Sequence, residues 1–185
     1  MRIIYVIIKT LTLPGAMLHA FFEHLCCRTS KIIIDDERVV RFDEMMSHVD
    51  HDLVKRKGPS FDICFIPFFF SLVIGSMILM YGSTSIIYFG RLADIFGWIC
   101  LYLGIAILTN LFPQIEDVMM IKENFFNNGK KGIVTKILIA PIYAILWLGA
   151  RLERWCVTLF TSIAFAFVLP MILGLFLPGL YEFLH

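Results

Sequence analysis

The chain has 185 residues, of which 59% are hydrophobic and 17% charged, and its formal net charge is +1. Its mean hydropathy of +0.82 is too high for an ordinary soluble domain and is typical of a polytopic helical membrane protein. The near-zero net charge, without a polybasic tail or zinc-finger spacing, excludes nucleic acid as an expected partner.

The first apolar segment, residues 3–27, contains an interruption and a pair of ionisable residues. Pro14 and Gly15 lie in the middle of the segment and predict a kink or a break in the helix. The second half begins near Gly15 and carries His19 and Glu23, which lie four residues apart and share one helix face. Ionisable side chains within a membrane segment are costly, and they usually have a functional reason.

Residues 28–60 form the only long polar region. Residues 31–42 predict two short strands around the acidic turn 35–37, and therefore a small β-hairpin-like insert at the membrane surface. His48 and His51 follow, close to two aspartates. They suggest either a second, surface metal site or a solvated loop, and the polar neighbourhood favours the loop.

Four further apolar segments predict membrane crossings, which gives about five transmembrane helices in a single integral membrane domain, residues 1–185. The predicted crossings are 61–81, 95–112 (within the apolar segment 86–112), 133–150 and 155–177. Polar turns are predicted at 82–85 and 151–154, and an amphipathic connector at 113–132.

The distribution of Lys and Arg predicts the orientation in the membrane. The 28–60 region carries seven of these residues and the 113–136 region four, against five on the opposite side. Because positive charge accumulates on the cytoplasmic side, both polar regions are predicted to be cytoplasmic, with the N-terminus outside and the C-terminus inside. A first helix that re-enters at Lys9, instead of crossing, would invalidate the N-terminal assignment.

Residues 14–19 read P-G-x-x-x-H, and residues 110–117 read N-x-x-P-x-x-x-D. Together these motifs resemble the start of the metal-binding helix and the second motif of the site-2-protease-like family of integral membrane metallopeptidases. The resemblance covers roughly residues 10–125. The positions that frame the site are Pro14, Gly15, Ala20, His24, Asn110 and Pro113.

The resemblance implies one zinc or other divalent metal ion, with His19 as the first ligand and Asp117 as the third. Glu23 stands where the family has its second histidine, and Ala20 stands where it has the glutamate that activates water. In H-E-x-x-H peptidases the histidines hold the metal and that glutamate is the general base. His24 is poorly aimed to replace the base, so the chain resembles a degenerate member of the family.

Loss of a general base typically costs about 10²–10⁴-fold in rate, which favours a non-catalytic pseudopeptidase. Such a protein would act as an accessory or binding subunit that recognises a membrane protein partner among membrane lipids. One alternative is an active, divergent intramembrane zinc metalloprotease, and another is a small transporter or assembly protein. The simplest alternative gives His19 and Glu23 a hydrogen bond or ion pair between helices and makes Asp117 a helix cap.

Overall fold

A computed structural model of the chain describes residues 2–36, 48–127 and 133–176. These residues form helices α1 (Arg2–Leu11), α2 (Leu13–Thr29), α3 (Lys57–Ser83), α4 (Ile95–Thr109), α5 (Ile115–Phe126), α6 (Ile133–Arg154) and α7 (Val157–Phe176). Two short strands, β1 (Ile34–Asp36) and β2 (Asp50–His51), pair antiparallel. The predicted mainly helical fold with a small β element is confirmed.

The chain bends sharply between α1 and α2, as predicted from Pro14 and Gly15. The two helix axes differ in direction by 86°. Pro14 lies in the first turn of α2, where its missing N–H would have no helical partner in any case. A Cβ atom at Gly15 would overlap the backbone of Ala106, so the glycine allows α2 to pack closely on α4.

Helix α3 continues where a turn was predicted at residues 82–85. A π-helical turn, Thr84–Tyr88, follows α3 directly. Gly82 packs against the backbone of Leu101 in α4, so this glycine allows close helix packing and does not end the helix. The hydroxyl of Ser83 donates to the carbonyl of Met80, which satisfies this polar side chain within the helix.

The small sheet differs in register from the predicted hairpin. Ile34 pairs with His51, and Asp36 pairs with Asp50. Asp35 and Asp36 therefore belong to a strand, although the acidic residues predicted a turn. The predicted second strand and Glu37 lie in residues 37–47, outside the described residues. Pairing with the more distant β2 brings the 48–51 segment back to β1.

The segment after β2 is anchored on α5. The N–H of Val54 donates to the sulfur of Met120, and the side chain of Asn124 donates to the carbonyl of Val54 at 2.7 Å. Met120 and Val54 also pack with Cys26 and Cys27 of α2 in one buried apolar group. These contacts fix residues 48–54 between α2 and α5.

Helix α6 extends through Arg154, so the predicted turn at 151–154 is wrong. Glu153 points inward and forms a buried ion pair with Lys9 of α1. Its second oxygen accepts a hydrogen bond from the backbone N–H of Phe112 at 3.1 Å. Glu153 is buried because a lysine in an apolar segment requires an anionic partner.

The exterior of the described part is strongly apolar. Val134 and Leu138 of α6 are 81% and 71% exposed, and Phe160 of α7 is 69% exposed. Two helices are long and apolar enough to cross a membrane, Lys57–Tyr88 and Ile133–Arg154. The bent pair α1–α2 makes a third if it is one span, whereas α4 and α7 are shorter apolar helices. The predicted number of five crossings stays a prediction.

Candidate metal centre

Helix α2 buries one face, and that face carries both predicted ligands. The buried positions recur every three or four residues: Gly15, Ala16, His19, Ala20, Glu23, Cys26 and Cys27. This spacing is that of a single helix face packed against neighbours, here α3 and α4. His19 and Glu23 are almost completely inaccessible to solvent.

The segment 48–51 covers this face of α2. The side chains of His48 and His51 are each only 3% exposed, so the interpretation of these residues as a solvated loop is wrong. The backbone N–H of Val49 donates to Glu23 Oε2 at 3.2 Å. Together with the β1–β2 pairing, this hydrogen bond turns both histidines toward α2.

Asp117 completes the cluster from the first turn of α5. Its Oδ1 lies 3.5 Å from His51 Nε2, which in turn lies 4.0 Å from Glu23 Oε1. The other Glu23 oxygen, Oε2, lies 3.5 Å from His48 Nδ1. The rings of His48 and His19 meet edge to face, with centroids 5.3 Å apart.

These five residues, named here the histidine cluster, form two overlapping groups with the geometry of a possible metal site. His19, Glu23 and His48 make the first group, and Glu23, His51 and Asp117 make the second. Within each group one ligand atom per residue lies within 4.8 Å of the others. Glu23 therefore belongs to both groups. The other two predicted ligands, His19 and Asp117, belong to different groups.

The polar atoms of the cluster fit a metal ion. Five buried atoms have no hydrogen-bond partner within the described part of the chain: Nδ1 and Nε2 of His19, Oε1 of Glu23, Nδ1 of His48 and Nε2 of His51. Buried polar atoms are normally paired, and each unpaired one costs about 1–3 kcal/mol. Imidazole nitrogens and carboxylate oxygens are ordinary ligands of zinc and related divalent ions.

The simplest alternative from the sequence, a hydrogen bond between His19 and Glu23, is wrong. Among the described residues neither ring nitrogen of His19 makes a hydrogen bond of ordinary geometry. His51 is oriented differently, because its Nδ1 lies 3.0 Å from the carbonyl of Asp52. This contact leaves Nε2 directed at Glu23 and Asp117, as expected for a histidine whose outer nitrogen is held by a backbone acceptor.

Burial also shifts the pKa values of two cluster residues that lie outside α2, Asp117 and His48. Burial raises the pKa of Asp117 to about 6, with His51 opposing this shift and Glu116 reinforcing it. Burial lowers the pKa of His48 well below its ordinary value, and the charge of Lys9 lowers it further. At neutral pH His48 is therefore a neutral imidazole, the form that binds metals.

The framing positions have structural roles. The side-chain amide of Asn110 donates to the carbonyl and hydroxyl of Thr12, at 3.2 and 2.8 Å, and thereby ties the end of α4 to the α1–α2 bend. Ala20 is fully buried beside His19. His24 is half-buried and belongs to neither ligand group among the described residues.

A cleft of about 630 Å³ opens onto the cluster. His48, His51 and Asp117 lie in its wall, together with Pro113 and Glu153. Its volume is within the range of small-molecule pockets. His48 of the first group and His51 and Asp117 of the second therefore border the cleft, whereas His19 and Glu23 are not among the residues that line it.

Sequence reasoning missed the convergence of His48 and His51 on the cluster, and it missed the inward position of Glu153. No local signal indicated the histidines, because their burial depends on strand pairing and contacts with distant helices. Lys9 did carry a signal for Glu153, since an isolated cation in an apolar segment requires a buried anion elsewhere.

Comparison of the chain with family models, curated proteins and solved structures finds no match.

Proposed function

We propose that this chain is an integral membrane protein that holds a divalent metal ion, zinc in the first instance, in the histidine cluster. One observation carries the proposal: unpartnered ligand atoms of α2 and of the 48–51 segment converge beside the Asp117 carboxylate of α5. Because burying such atoms without partners costs stability, a bound cation is the simplest reason for them to be kept.

The proposed role is binding without cleavage, on a scaffold resembling that of site-2 proteases. A bound metal ion would supply a Lewis acid that polarises a ligand in the cleft. The chain offers no carboxylate at position 20, where the family's general base stands. We therefore infer an accessory subunit, with polar segments 28–60 and 113–132 in the cytoplasm, whose cleft receives a membrane protein partner.

A second candidate is an active, divergent intramembrane metalloprotease. It is favoured by the number of ligands in the cluster. The cluster has three imidazoles and two carboxylates, whereas a typical catalytic zinc site uses only three protein ligands. Glu23 or Asp117 would then be available to accept a proton from water. Asp117 also lies in the wall of the cleft, where a substrate would enter.

Metal analysis of the protein purified in detergent, without chelators, tests the proposed site. We expect stoichiometric zinc in the wild type and a substantial loss in His19→Ala, Glu23→Gln and His48→Ala. The matched control is His24→Ala, which removes a histidine from the same helix but from neither ligand group, and it should retain the metal. Wild-type protein that takes up no stoichiometric divalent metal, even after incubation with zinc, would overturn the proposal.

A proteolysis assay separates the two candidate roles. The wild type and Asp117→Ala are incubated with membrane protein substrates in proteoliposomes, with and without a chelator. The accessory role predicts no metal-dependent cleavage by either protein. Cleavage by the wild type that disappears with chelator and in Asp117→Ala would establish the protease instead.

A further inference from the structure

The two carboxylate oxygens of Glu23 face different partners. Oε2 faces His48 Nδ1 at 3.5 Å, within the group that includes His19. Oε1 faces His51 Nε2 at 4.0 Å, within the group that includes Asp117. A single metal site would need only one of these groups, so the presence of a second ligand group around Glu23 requires an explanation.

We propose that the histidine cluster is a two-metal centre in which Glu23 bridges the ions. His19, His48 and Glu23 Oε2 form the inner site, and Glu23 Oε1, His51 and Asp117 form the outer site. The inference rests on the proposed metal-binding function and specifies its stoichiometry and ligand sets. Its test does not depend on whether the protein cleaves peptides.

The number of ligand atoms supports two ions. Each group offers one donor atom from each of three residues, which is the usual protein share of a zinc site with an open position. The N–H of Val49 occupies one acceptor position of Glu23 Oε2. A carboxylate has about four such positions, so both oxygens retain capacity for a metal bond.

The surrounding charges are compatible with this assignment. Glu23 and Asp117 offset part of the charge of two divalent ions, and the nearest buried cation, Lys9, is already paired with Glu153. The cleft wall beside the outer group also carries Asp50 and Glu116, whose negative charge lowers the cost of a second cation there. Arg154 lies in the same wall, 3.8 Å from Glu116, and offsets part of that charge. Bridged ions of this kind typically act as one clamp on a ligand's oxygen atoms.

Titration of the metal-free protein with Mn²⁺ tests the inference without reference to activity. The protein is purified in detergent, stripped with chelator and titrated, with bound metal measured by elemental analysis and electron paramagnetic resonance recorded at low temperature. We expect two Mn²⁺ ions per chain at saturation and the spectrum of a spin-coupled pair. This wild-type measurement does not depend on how well any variant folds.

Variants then assign the two sites. His19→Ala should retain one ion at the outer site, Asp117→Ala should retain one at the inner site, and both should give uncoupled spectra. His48→Gln and His51→Gln are second variants for the same two sites, and His24→Ala should keep two coupled ions. One ion in the wild type, lost from both His19→Ala and Asp117→Ala, would overturn the two-metal centre while preserving the proposed function. A wild-type protein that binds neither Mn²⁺ nor Zn²⁺ would overturn both.

Discussion

The Lys9–Glu153 ion pair and the histidine cluster are both buried, but their polar atoms are satisfied very differently. In the ion pair, Glu153 accepts from Lys9 through one oxygen and from the Phe112 N–H through the other. The Tyr5 ring lies 5.3 Å from the ammonium group. In the cluster, five ligand atoms lack hydrogen-bond partners among the described residues.

This difference separates a structural use of buried charge from the proposed metal-binding use. An ion pair in which both carboxylate oxygens accept a hydrogen bond fixes α1 against α6. Buried imidazoles and a carboxylate whose polar atoms lack hydrogen-bond partners lower the stability of the metal-free protein. Such local conflicts between stability and sequence are expected at functional sites. The comparison therefore predicts opposite responses of the two regions to substitution and to metal.

The largest expected effect is the loss of one member of the ion pair. Lys9→Met leaves Glu153 as a buried carboxylate without its cation, and removing one partner of a buried pair typically costs about 3–5 kcal/mol. We expect that decrease in the free energy of unfolding, measured by denaturant titration of metal-free protein in detergent.

The double variant Lys9→Met/Glu153→Gln provides the control. The amide introduced at position 153 would retain an acceptor for the Phe112 N–H, and no unpaired charge would remain, so most of the lost stability should return. A double variant no more stable than Lys9→Met would mean that the ion pair is not what the single substitution disrupts.

Metal addition should stabilise the protein through the cluster and not through the ion pair. At a free metal concentration of about 100 times Kd, binding to the native state alone adds about 2.7 kcal/mol. We expect this gain in the wild type and in Lys9→Met, because the latter keeps all cluster residues. Glu23→Gln should lose most of it. Thermal unfolding with and without zinc measures the effect, and a Lys9→Met protein unresponsive to zinc would show that the two regions are not independent.

Much of this fold was predictable because local patterns report local structure. Pro14 and Gly15 indicated the α1–α2 break, and the apolar segments located the long helices. The turns predicted at 82–85 and 151–154 failed for one reason. Small and charged residues favour turns in isolation, but here Gly82 packs on Leu101 and Glu153 pairs with Lys9.

The candidate site was predictable only in part. His19, Glu23 and Asp117 were named from their spacing and from a family resemblance, and each lies in the cluster. His48 and His51 were assigned to a solvated loop because their neighbours in sequence are polar. Their burial depends on β1–β2 pairing and on a hydrogen bond to Glu23 across 26 residues. Single-sequence periodicity carries no information about contacts at that separation.

Substitution of Asn110 tests whether this framing residue contributes to the stability of the fold or to metal binding. Asn110→Ala removes the side-chain donor to Thr12 and Ala106, and we expect a loss of about 1–3 kcal/mol in the free energy of unfolding. Metal stoichiometry should be unchanged, because Asn110 is in neither ligand group. Elemental analysis that finds metal lost from a stable Asn110→Ala protein would place this residue with the cluster instead.

The smallest expected effect is the change in stability of the metal-free protein caused by His19→Leu, and its sign is the informative part. His19→Leu replaces a buried side chain that has two unpartnered nitrogens with an apolar one of similar volume, so the metal-free protein should gain about 1 kcal/mol. The same variant should gain less than the wild type from added zinc. A stability loss comparable to that of Lys9→Met, in metal-free protein, would instead show that His19 is as fully satisfied as the ion pair. In that case the contrast between the two regions would fail.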